Sequence, residues 1–206
     1  PSTDCPYITI PQVSASAHYP VVNSSPVSVS NINIHSGASL TVTNTSISVS
    51  GIINNQGTFD ITTGTLELNG SIPQHLDANT FLNNTVQHLL ISNSSATGVN
   101  LNGPLAITGS LNFTAQGEVF NTNGHLTLRS TAEETAWVGN TTGKTIEGEV
   151  TVERYIHTGT GAGQHGKSWQ LLAVPTHGAQ TIKQSWQEGA TNLNHNPVPG
   201  YGTMIT

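Results

Sequence analysis

Val27-Ser28-Val29, Ile32-Asn33-Ile34, Leu40-Thr41-Val42, Ile47-Ser48-Val49, Phe59-Asp60-Ile61 and Leu66-Glu67-Leu68 set the architecture of this chain. Each triplet is one polar side chain between two apolar ones. Alternate side chains of a strand point to opposite faces, so each triplet sends two apolar groups inward and one polar group outward. Val99-Asn100-Leu101, Leu105-Ala106-Ile107, Leu111-Asn112-Phe113, Leu126-Thr127-Leu128 and Val150-Thr151-Val152 continue the series. Gly, Asn and Ser fill the intervals, and glycine tolerates the positive φ that tight corners need. The apolar period is two rather than 3.6, and Ser, Thr, Asn, Val and Ile are weak to middling helix formers.

This pattern predicts an all-β fold, a right-handed parallel β-helix of about six coils with three short strands each and about 20 residues per coil. At a strand spacing of about 4.8 Å the column would be roughly 30 Å long. Right-handedness is expected because the spacing is irregular, whereas left-handed coils favour a strict hexapeptide period. Residues 1–26 read as a lead-in that caps the first coil or leaves it as a docking surface; within it, Tyr7-Ile8-Thr9-Ile10 between Pro6 and Pro11 reads as an edge strand. Residues 27–144 form the β-helix. Residues 145–206 read as the start of a β-rich, sandwich-like domain that continues beyond the chain or is completed by a partner. Two interruptions are expected. One spans 71–84, where Pro73 cannot donate a ladder bond, and reads as a strand edge at 72–76 followed by a loop outside the coil; the other spans 131–144. Leu89, Leu90 and Ile91 are expected to be buried. Residues 181–188 read as a short helix ended by Gly189.

Composition narrows the function classes. Charged residues are 8% of the 206, against roughly 25% in an average globular protein. The net charge is −6, with only five Lys and Arg, so no basic footprint for nucleic acid exists. No apolar run approaches the roughly 20 residues of a membrane span. The start at Pro1-Ser2-Thr3, without an initiator Met or signal peptide, reads as a processed or excised piece. Cys5 is the single cysteine, which leaves no internal disulfide and no Cys-based zinc site, and it reads as an unpaired thiol.

Polysaccharide lyases and hydrolases also use parallel β-helices, and they need clustered carboxylates or a bound calcium. Asp60 and Glu67, outward members of neighbouring triplets, and Glu147, Glu149 and Glu153 on one strand face are the candidates; all read first as solvated acids. His157, His165 and His177 flank the loop Gly159-Thr160-Gly161-Ala162-Gly163, but the histidines show no metal-ligand spacing. That loop lacks the Lys-Ser/Thr of a phosphate loop. Trp137, Trp169 and Trp186 could stack on sugars, although Trp169 and Trp186 read better as anchors of the distal domain. Several N-x-S/T sequons, such as Asn44-Thr45-Ser46 and Asn112-Phe113-Thr114, are what an Asn/Ser/Thr-rich chain yields by chance.

The run from Val29 through Asn31-Ile32-Asn33-Ile34-His35-Ser36-Gly37 to Val42, and Ile52-Ile53-Asn54-Asn55-Gln56-Gly57-Thr58-Phe59, resemble the coils of large secreted surface proteins of Bacteroidetes. Val150-Thr151-Val152-Glu153-Arg154-Tyr155-Ile156, Ser168-Trp169-Gln170-Leu171-Leu172-Ala173-Val174-Pro175, Thr181-Ile182-Lys183-Gln184-Ser185-Trp186 and Gly200-Tyr201-Gly202-Thr203 extend the resemblance over most of the chain. It implies export, often by the type IX secretion system, whose sorting domain would belong to a longer parent. Members are adhesin-like or uncharacterised, so the resemblance implies no reaction. The expectation is therefore a non-enzymatic, extracellular, cell-surface protein with no catalytic, cofactor or metal residues. Its expected partners are neighbouring copies through β-edge or end-to-end assembly, and surface glycans. A carbohydrate-binding or carbohydrate-cleaving module is the alternative, and ice binding through a flat Thr/Ser row is the third.

Overall fold

The computed structural model describes residues 5–14 and 18–155. Strands β1 (Cys5–Ile10), β2 (Val21–Val22), β3 (Val27–Ile34), β4 (Ser39–Val49), β5 (Ile53–Asn55) and β6 (Thr58–Leu68) come first. They are followed by β7 (Gln74–Leu76), β8 (Thr85–Ile91), β9 (Val99–Leu101), β10 (Leu105–Phe113) and β11 (Val119–Asn121). Strands β12 (Leu126–Leu128), β13 (Trp137–Val138), β14 (Thr145–Glu147) and β15 (Val150–Val152) complete the set. Among the described residues the one helical piece is a 3-10 turn, Leu82–Asn84.

Every pairing between these strands is parallel. The main sheet runs β1-β3-β4-β6-β8-β10-β12-β15, and a second runs β14-β11-β9-β7. A parallel neighbour requires the chain to travel round before it returns. Here it winds into a parallel β-helix of about six coils. Three columns of apolar side chains follow from the registers. On the first face Leu40 lies beside Phe59, Ile61 beside Val86, Val86 beside Ile107, and Ile107 beside Leu128. On the second, Val29, Val49, Leu68, Ile91 and Phe113 stand in line. On the third, Val99 lies beside Phe120 and Phe120 beside Ile146. Ile34, Val42, Ile47, Phe59, Ile61, Leu66, Ile91, Leu101 and Ile107 are all 0% exposed. Each such side chain contributes about 1.5–3 kcal/mol relative to an exposed one.

Several expectations are corrected. The coils do not carry three separate short strands: Leu40–Val42 and Ile47–Val49 fall in one bent 11-residue strand, β4, as the next two triplets do in β6. The bend is made without breaking the ladder, by register shifts around Thr43 and a positive φ of 54° at Asn44. The strand edge expected around 72–76 is present as β7, which pairs with β9, but the loop after it is not outside the coil: Phe81 folds back so that its ring lies 5.3 Å from that of Phe59. The stack also passes the boundary expected at residue 144, because β14 pairs with β11 and β15 with β12. Its compact unit ends at Ile156. Trp137–Val138, within the second interruption, pairs with β10. Leu89 and Ile91 are buried, but Leu90 is on the outward side of the alternation and only half-buried. The expected sandwich-like domain beyond Tyr155, the 181–188 helix, the 159–163 loop, His157, His165, His177, Trp169 and Trp186 lie outside the described residues.

Candidate functional site

Among the described residues the outward triplet members present a polar surface, and the structure shows what they do. Glu67 on β6 lies between Ser48 of the preceding coil and Ser92 of the following one. Ser48 Oγ donates to Glu67 Oε2 at 2.5 Å and Ser92 Oγ to Oε1 at 2.7 Å. Both carboxylate oxygens are thus occupied by hydroxyls, one from each side. Asp60 shares no partner with Glu67: its Oδ1 accepts from the backbone N–H and the hydroxyl of Thr62, at 3.0 and 2.7 Å.

Other outward groups are joined from coil to coil in the same way. Asn54 Nδ2 donates to Asn33 Oδ1 at 2.9 Å, Thr63 Oγ1 to Thr43 Oγ1 at 2.9 Å, and Asn102 Nδ2 to Asp77 Oδ1 at 2.8 Å. His88 Nδ1 lies 2.8 Å from Ser110 Oγ, which also accepts from Asn112 Nδ2 at 2.9 Å. Ser110 is only 4% exposed, so this Ser–His contact is closed to a substrate. Glu147 and Glu149 are exposed, and their backbone carbonyls receive the Thr122 hydroxyl. Glu153 Oε2 accepts from Ser130 N at 3.2 Å. Among the described residues no three His, Cys, Asp or Glu side chains gather as a metal centre would require. No helix among them is long and apolar enough to cross a membrane. No Lys or Arg precedes Arg129 in the sequence, so the greater part of the stack presents no permanent cation.

Because Glu67 ties three coils, Glu67→Ala is expected to lower stability by about 2 kcal/mol, the scale of hydrogen bonds to a charged group. Glu67→Gln, which keeps the oxygen that Ser92 or Ser48 can use, should lose about half as much in urea unfolding.

One polar cluster, not legible from the residue pattern, lies inside the stack. Gln74 is 3% exposed and Asn93 0%. Gln74 Oε1 accepts from Gly70 N and Asn93 Nδ2, both at 2.9 Å, while its Nε2 donates to the carbonyls of Val49 and Gly51. Asn93 Nδ2 also donates to Ile72 O, and its Oδ1 accepts from the backbone N–H and hydroxyl of Ser95. These two amides satisfy the backbone of a corner across three coils, where an unpaired group would cost about 1–3 kcal/mol. The only signal available in the sequence was the interruption itself: a coil with no apolar residue at that place needs polar atoms that pair.

The outward amide row is incomplete at one point. His75 lies beside Asn100, and Asn100 beside Asn121, but the buried Asn100 Nδ2 has no hydrogen-bond partner. His75→Asn would place an acceptor there and copy the Asn54–Asn33 contact. It is expected to raise stability by about 1 kcal/mol, one net hydrogen bond, visible as a higher melting temperature.

Trp137 is the outward aromatic of the described stack that sequence reading singled out. It is 55% exposed and in register with Ser110. Comparison of the chain with known proteins finds no matching family model, no matching curated protein and no matching solved structure.

Proposed function

We propose that this chain is a non-enzymatic, extracellular structural or adhesin-like protein whose stacked coils hold shape and join neighbouring copies. The observation that carries this reading is the use made of the outward polar groups. Glu67, Asp60, Asn33, Asn54, Thr43, Thr63, Ser110 and Asp77 are hydrogen-bonded to neighbouring side chains or backbone, mostly across coils. Such rows stiffen a column. β1 and β15 terminate the main sheet path, and sheet ends are where strand addition by another chain operates. The test is light scattering and electron microscopy of residues 1–206 over a concentration series. Concentration-dependent oligomers or fibres are expected. A monodisperse monomer at every concentration would remove the assembly part of the reading.

The exposure of Trp137 favours a second reading, a carbohydrate-binding module, since an indole face is a platform for a sugar ring. Glycan-array binding lost in Trp137→Ala would support it, and polysaccharide cleavage by the wild-type chain would count against the non-enzymatic reading altogether.

A further inference from the structure

One line of outward side chains ends on the exposed indole. Ser46, Thr65, His88, Ser110 and Trp137 stand beside one another in successive coils. Ser110 is 4% exposed and Trp137 55%, while His88 is half-buried. The His88 imidazole is held in two ways. Its Nδ1 lies 2.8 Å from Ser110 Oγ, and its ring lies against Gly109, where an added Cβ would fall 2.5 Å from Cε1. Two rings, two coils apart, therefore flank one small serine. At the usual strand spacing that separation is about 10 Å along the column.

No other exposed large apolar side chain of the described residues lies in this line, so the indole has no apolar rim of the kind a protein partner covers. A pyranose suits it better: the C–H face of the sugar packs on a ring, and its hydroxyls meet polar neighbours. Charge narrows the class of sugar. The loop just before Trp137, closed by the Ser130–Thr135 bridge, carries exposed Glu133 and Glu134 against one exposed cation, Arg129. No Lys or Arg precedes Arg129, so a carboxylated or sulfated chain lying along the column would be repelled. In an extended β-1,4-linked hexose chain alternate units turn over, and the repeat of two units is close to the span between the two rings.

We propose that this line binds a neutral, extended β-1,4-linked hexose chain lying along the column, with one unit on Trp137 and the next but one over His88. The proposal rests on the carbohydrate-binding reading above and narrows it to one class of ligand.

Titration calorimetry of residues 1–206 tests it, with β-1,4-linked oligomers of glucose, mannose and N-acetylglucosamine and with polygalacturonate as the acidic control. A chain of three units or more reaches both rings. In at least one neutral series the four-unit oligomer is therefore expected to bind about tenfold more tightly than the two-unit one. Trp137→Ala should weaken binding at least about tenfold and Trp137→Phe much less, since a ring remains. His88→Ala should remove the advantage of the longer oligomer and leave two-unit binding as it was. Binding of none of the three series, affinity that does not grow with length, or tighter binding of polygalacturonate overturns the proposal. So does equal loss in Trp137→Ala and Trp137→Phe. Glycan-array binding confined to other sugars would overturn this ligand and leave the carbohydrate-binding reading standing, whereas a blank array would remove both.

Discussion

Asn93→Leu is expected to destabilise the protein by about 4 kcal/mol, although the two side chains share one branching pattern and heavy-atom count. The exchange removes every hydrogen bond that Asn93 makes and puts two bulkier methyl groups into a fully buried corner, which adds overpacking. Ile72 O loses its amide donor, and the N–H and hydroxyl of Ser95 lose their acceptor. Gln74 Oε1 keeps Gly70 N but loses Asn93, inside a corner that water does not reach. Domains are stable by only about 5–15 kcal/mol, so a loss of this size is a large fraction of the whole. The comparison is Asn23→Leu, an exposed site where a change within about 0.5 kcal/mol is expected. Urea midpoints for both variants decide the matter. An Asn93→Leu value within about 1 kcal/mol of wild type would mean that the amide network does not hold the corner.

Gly98→Ala is the second large effect, about 4 kcal/mol, and Gly117→Ala isolates its cause. Both glycines have positive φ, +67° and +83°. A side chain in that region costs about 1–2 kcal/mol, and this is all that Gly117 should show, because a Cβ there meets nothing within 4 Å. At Gly98 the added carbon would fall 1.9 Å from the carbonyl oxygen of Val119, on the strand stacked above. Backbone cannot swing aside as a side chain does, so the coils must separate locally, adding about 1–3 kcal/mol of overpacking. Equal losses at the two sites would show that adjacent coils do not approach as closely as this register requires.

The fold was legible because its signal is local. A triplet such as Phe59-Asp60-Ile61 states its own alternation, and both apolar members are 0% exposed. Coil length was legible only as an average, because the step from one coil to the next varies. Leu40 meets Phe59, 19 residues on, but Leu111 meets Val138, 27 on. A search for one fixed period therefore mistakes the long steps for breaks, which places β13 in an interruption and β14 and β15 in another domain. Leu90 misled for a simpler reason: in Leu89-Leu90-Ile91 the middle residue is apolar, so composition hides the alternation that the backbone still imposes. The polar contacts were the least legible. Ser48, Glu67 and Ser92 meet only because three coils stack in one register, and a buried Asn93 reads in sequence like any loop asparagine.

The stacking register itself underlies each of these arguments, and a pair of cysteines reads it directly. In a Cys5→Ser background, Thr43→Cys with Thr63→Cys replaces two hydroxyls 2.9 Å apart on adjacent coils. Parallel neighbours about 4.8 Å apart fall within the span a disulfide bridges. Mild oxidation should close that bridge in nearly every folded molecule, detected as a mass loss and a compact band on non-reducing gels, while Thr43→Cys with Asp77→Cys should stay reduced. Free thiols in the first pair, or equal bridging in both, would contradict the stacked parallel coils.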